Sequence, residues 1–80
     1  MKSFGIVNSD VMRDPNLSLR AKGLYALLCT FADGRGICYP AISTLGELTG
    51  MTRRTIHRII NELELKNYVT RTGRNFQINR

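Results

Sequence analysis

Between Gly50 and Asn61 the chain reads GMTRRTIHRIIN, which gathers three arginines, two threonines and the only histidine of the sequence into twelve residues. Arginine offers a planar fork of donors that fits phosphate oxygens and the guanine O6/N7 edge, and asparagine can pair with an adenine edge in the same way. Arg54, Arg58, His57 and Asn61 are therefore candidates for contacts to base edges. Thr52, Arg53 and Thr55, with Arg71 and Arg74 further on, suit phosphates, which confer affinity and register without reading sequence. No nucleophile with a partner base, no carboxylate pair and no second histidine accompanies them. An enzyme, a metal site or a cofactor is accordingly not expected, and His57 by itself reads as a neutral hydrogen-bonding surface residue.

These side chains have to be aimed, and the spacing of the isoleucines indicates how. Residues 52–66 carry Ile56, Ile59, Ile60 and Leu63 on one stripe of a helix for which Thr52 is a suitable N-cap. At about 100° per residue, Arg54, Arg58 and Asn61 fall on the opposite side, with His57 at its edge and Leu65 on the outer face. Thr52 and Arg53 stand at the positive end of the helix dipole, where backbone N–H groups also favour a phosphate. A basic face opposite an apolar stripe is, on a lone helix, an ordinary solvated surface. Here the acidic residues Glu62 and Glu64 come only later, so the early face is almost purely cationic.

Ahead of this helix, residues 41–49 repeat Ile42, Leu45 and Leu48 at helical spacing, with Pro40 suited to the first turn and Gly50 to the stop. Gly46 costs about 1 kcal/mol relative to alanine in a helix, a cost that close approach of another helix would explain. Gly46, Gly50, Met51, Ile56 and Ile59 together have the internal packing expected of a helix-turn-helix. The last residues, 68–80, alternate around Gly73 as a hairpin, with Arg71 and Arg74 near its tip, and that order makes a winged helix.

The remaining elements are simpler. Residues 1–17 read as an arm and connector, with Phe4 and Ile6 in a short extended piece and Pro15 opposing a helix. Residues 18–32 form a helix capped by Ser18, with Ala21, Leu24, Leu27, Leu28 and Phe31 on one stripe and Cys29 off it, and residues 37–39 a short strand. The expected fold class is α+β, a winged helix-turn-helix of three helices, one short strand and a C-terminal β-hairpin.

Eighty residues allow one domain, and an apolar content of 42% is too high for a disordered tail. No apolar run reaches the roughly 20 residues of a membrane span, and the N-terminus has no secretory signal, so a soluble cytoplasmic protein is expected. Cys29 and Cys38, nine apart, suit reduced packing thiols. The net charge of +6 is unevenly spread: residues 1–50 hold five basic and four acidic residues, residues 51–80 seven basic and two acidic. Nine of the twelve cations are arginine, which points the C-terminal part toward a polyanion. RNA or single-strand binding would call for exposed aromatics on a sheet, and only six aromatics are present.

Over YPAISTLGELTGMTRRTIHRIINELELKNYV, and back through LSLRAKGLYALLCTFAD, the sequence resembles the winged helix-turn-helix domain of bacterial and phage DNA-binding proteins, particularly plasmid and phage replication initiators and replisome organisers. The resemblance covers about residues 4–72, and TRRTIHRIINELELKNYV corresponds to that family's recognition helix and the entry to its wing. It implies binding of double-stranded DNA, in replication initiation or transcription regulation, frequently as a homodimer. The competing expectation is a protein-interaction winged helix that would use Leu65, Tyr68 and the N-terminal arm. Gly46 stands where that family usually has alanine, and Asn67 where glycine usually ends the helix.

Overall fold

The computed structural model describes residues 7–73 and 75–79. In chain order the elements are α1 (Ser9–Met12), α2 (Leu19–Phe31), β1 (Ile37–Cys38), α3 (Ile42–Thr49), α4 (Arg53–Leu65), β2 (Val69–Thr72) and β3 (Asn75–Ile78). The three strands form one antiparallel sheet in the order β1-β3-β2. This is the α+β winged helix-turn-helix expected from the sequence, with one helix more than the three anticipated. The extra one, α1, is a single turn inside the expected connector, where Asn8 Oδ1 accepts from the Asp10 N–H at 2.8 Å and Val11 enters the core. One turn is too short to show periodicity. Phe4 and Ile6 lie outside the described residues.

Each long helix begins where a hydroxyl satisfies an otherwise unpaired N–H group. Ser18 Oγ accepts from Ala21 N–H at 3.1 Å to start α2, and Thr52 Oγ1 accepts from Thr55 N–H at 3.2 Å to start α4. Helix α3 has no such cap. It starts at Ile42 with Ala41 as an extended N-cap, so Pro40 lies ahead of the helix rather than in its first turn. Because proline has no N–H to continue a ladder, β1 also stops at Cys38, one residue short of the expected 37–39.

The core is one cluster that draws on every element. From α4 it takes Ile56, Ile59, Ile60 and Leu63, each no more than 4% exposed; full burial of such side chains contributes about 1.5–3 kcal/mol apiece. From α2 it takes Ala21, Leu24, Tyr25, Leu28 and Cys29. That set is rotated from the expected stripe, because α2 packs on α4 along one side and on β1 along the other. Cys29 thus meets a second surface, while Leu27 is only half-buried and Phe31 is 38% exposed. Leu48, placed with Ile42 and Leu45 by its spacing, is instead 58% exposed and overhangs the gap between α2 and the turn after α3. Both cysteines are buried, and burial pushes the Cys38 thiol up to about 11.

Two contacts distant in sequence fasten α4 to the segment before α2. Ser18 donates its backbone N–H to Glu62 Oε2 at 3.0 Å and its hydroxyl to Glu62 Oε1 at 3.1 Å. Asp14 Oδ2 accepts from Lys66 Nζ at 3.0 Å and from the Tyr68 hydroxyl at 2.6 Å. The Tyr68 bond, then the Asn16 backbone N–H donated to Oδ1 at 2.8 Å, then the Lys66 bond hold the Asp14 carboxyl down to about 2, while the Tyr68 hydroxyl is shifted up by the same carboxylate. The Tyr68 ring meets Tyr25 edge-on, with centroids 6.5 Å apart. Tyr68 is therefore engaged within the fold and is not the free surface aromatic that an interaction module would use.

Candidate nucleic-acid interface

The turn between α3 and α4 fixes how the two helices cross. Gly50 closes α3 in the left-handed region (φ 72°), donating its N–H to Gly46 O at 2.8 Å. Thr49 Oγ1 bridges the corner, donating to Leu45 O at 2.7 Å and accepting from Met51 N–H at 3.2 Å. Gly46 is where backbone approaches backbone: a Cβ there would stand 3.2 Å from Met51 O and 3.8 Å from Ile56 Cδ1. The cost of a helical glycine thus has its physical reason in the chain's return past α3.

With Ile56, Ile59, Ile60 and Leu63 inward, α4 turns its cationic residues outward. Thr52, Arg53, Arg54, Arg58 and Asn61 are exposed, and Thr55 and His57 are half-buried at the two edges of that face. Among the described residues no ion pair engages Arg53, Arg54 or Arg58; the acceptors that do pair serve Arg35, Lys66 and Arg71. Leu65, 85% exposed, ends the outer face.

The wing lies along one edge of α4. Asn67 (φ 61°) takes the left-handed conformation that ends the helix, and the chain enters β2 at the buried Val69. Alternation along the strand puts Val69 and Arg71 on the same side. Val69 fills the core and Arg71 reaches α4 further out, with Nη2 3.1 Å from Glu64 Oε1 and 3.5 Å from Asn61 Oδ1. The wing arginine is so joined to the outer surface of α4, a pairing across the helix that sequence spacing did not reveal. Arg74 lies outside the described residues. Between the wing and the start of α3 is a cleft of about 270 Å³ lined by Pro40, Ala41, Ile42, His57, Arg71, Gly73 and Phe76.

Thr52, Arg53, Arg54, Thr55, His57, Arg58, Asn61 and Arg71 thus fall on one continuous surface made of α4 and the first wing strand. Phe76, the one aromatic on the described strands, is buried, which leaves no stacking platform there for unpaired bases. Among the described residues no group of three or more His, Cys, Asp or Glu is placed to hold a metal ion, and no helix is long and apolar enough to cross a membrane.

Two helices joined through a left-handed glycine turn, the second of them basic, together with a three-stranded sheet and a flanking hairpin, define a winged helix-turn-helix protein. The helix-turn-helix domain family matches residues 16–69, and the chain belongs to that family. Its class makes DNA the expected partner. No curated protein and no solved structure matches the chain.

Proposed function

We propose that this protein binds double-stranded DNA in a sequence-specific manner, with α4 in the major groove and the β2–β3 wing against the adjacent backbone. The observation that carries the reading is the outer face of α4: three exposed arginines without ion-pair partners among the described residues, set opposite four buried aliphatic side chains. In this reading Arg54 and Arg58 contact base edges, with His57 and Asn61 at the margin. Thr52, Arg53 and Thr55 hold a phosphate at the helix start, and Arg71 and Arg74 hold another from the wing. In this reading the chain acts without catalysis, cofactor or metal, in the cytoplasm of a bacterium, in plasmid or phage replication initiation or in transcription regulation, and can pair as a homodimer. The biological setting and the dimer rest on the resemblance alone.

Selection of bound duplexes from a randomised pool tests binding and specificity together. A convergent motif supports the proposal, and recovery of an unenriched pool refutes it. A second reading, a protein-interaction winged helix without specific DNA binding, draws on the exposure of Leu65. It predicts self-association or partner capture that Leu65→Ser abolishes while a random duplex fails to bind.

A further inference from the structure

Beside the surface proposed for DNA stands a cation from another element. Arg20 lies in the first turn of α2, is exposed, and has no ion-pair partner among the described residues. It borders an open groove of about 670 Å³ between α2 and the helix-turn-helix corner. The far wall of that groove carries Thr52 and Thr55, the residues at the start of α4, together with the backbone of Gly50. Gly23, Leu24 and Leu27 extend the near wall along the same face of α2 as Arg20.

The two flanks of α4 can be told apart by what its carboxylates touch. Glu62 reaches the start of α2 through Ser18, and Glu64 reaches β2 through Arg71. Arg20 is therefore on the flank away from the wing. Both Glu62 oxygens are taken by Ser18, which locks the first turn of α2 against α4 and leaves the neighbouring guanidinium charge without a partner. Leu24, Leu27 and Met51 also line the groove, so the surface between Arg20 and the start of α4 is partly apolar and offers the guanidinium no acidic side chain.

From this placement we infer that the DNA-binding surface continues across the groove onto α2, with Arg20 contacting a backbone phosphate on the side of α4 opposite the wing. The inference rests on the proposed DNA binding. Its ligand is the sugar–phosphate chain of a duplex, approached from outside the groove in which α4 lies. An arginine there and another on the wing would brace the helix from both sides, and neither would read sequence. Local spacing carries no signal of this contact, because Arg20 is more than thirty residues from α4 and only the packing of α2 brings it to the groove.

Arg20→Ala, Arg20→Lys and the charge-matched control Arg13→Ala would be titrated in the full chain against a selected duplex and an unrelated one over a range of salt. Arg13 is exposed at the end of α1, so its loss changes the net charge by the same amount. The expected result is a several-fold weakening of both duplexes by Arg20→Ala, with the slope of log affinity against log salt reduced by about 0.9, the amount due to one phosphate. Arg20→Lys should retain most of the binding and Arg13→Ala should match the parent. Equal effects of Arg20→Ala and Arg13→Ala, or no effect of either, would overturn the contact. In that event, an intact loss on Arg54→Ala leaves the proposed function standing, whereas an unchanged Arg54→Ala isotherm removes both.

Discussion

Arg54 and Arg58 lie four residues apart on the exposed side of α4, so their guanidinium groups rise one above the other on a single face. Each can reach a base edge only if the helix enters a groove. Replacing either with alanine should then cost about 1–3 kcal/mol in discrimination between the preferred duplex and one mismatched beneath that residue. Competition titration with single-base variants measures it. Arg71 presents the opposite case, because its guanidinium is already paired with Glu64 at 3.1 Å, both side chains being about one-third exposed. Such a pair is worth little to stability in water. Against a phosphate, however, Glu64 competes for Arg71 and repels the backbone. Glu64→Gln should tighten duplex binding several-fold and steepen its salt dependence; weaker binding would mean instead that Glu64 serves to aim Arg71.

The helix-turn-helix corner is where element-scale energetics can be separated. Gly23, in the middle of α2, has nothing within 4 Å of the place a Cβ would take, so Gly23→Ala should raise stability by up to about 1 kcal/mol through helix propensity. Gly46→Ala has the same intrinsic gain but sets its Cβ 3.2 Å from Met51 O, so it should gain less than Gly23→Ala in urea unfolding. An equal gain would show that the corner yields freely. Thr52→Ala should lose about 1 kcal/mol with the cap of α4. Much of this level was legible in the sequence, since the isoleucine period, the glycine stop at Gly50 and the left-handed Asn67 are all local signals. What was not legible depended on neighbours distant in the chain. The buried side of α2 is set jointly by α4 and β1, Leu48 overhangs a groove whose other wall is α2, and the Arg71–Glu64 contact requires the wing to fold back. The single turn of α1 had only Asn8 to announce it.

Across the whole molecule, the basic C-terminal part is mounted on a scaffold closed by two carboxylates. Asp14 binds Lys66 and Tyr68, and Glu62 binds Ser18, tying both ends of the latter half of α4 to the chain before α2. The folded state holds the Asp14 carboxyl at about 2, below its ordinary value of 3.8. Its ionised form is favoured by folding, so the contribution is present above about pH 3.8 and is lost as the pH falls toward 2. Asp14→Asn should therefore show a shallower loss of stability over that acid range than the parent, as followed by urea unfolding at successive pH values. The charge distribution works at the same scale: with five of the six net positive charges in residues 51–80, association with a polyanion should be oriented by the recognition surface and strongly dependent on salt. In the proposed complex, α4 buries its isoleucines and so presents Arg54 and Arg58 to a groove of the duplex. The most direct test is the binding isotherm of the Arg54→Ala/Arg58→Ala variant on the selected duplex, measured beside the parent by fluorescence anisotropy. Preference for the selected duplex should collapse, leaving only weak, salt-sensitive binding; an isotherm superimposing on that of the parent would show that α4 does not read the duplex.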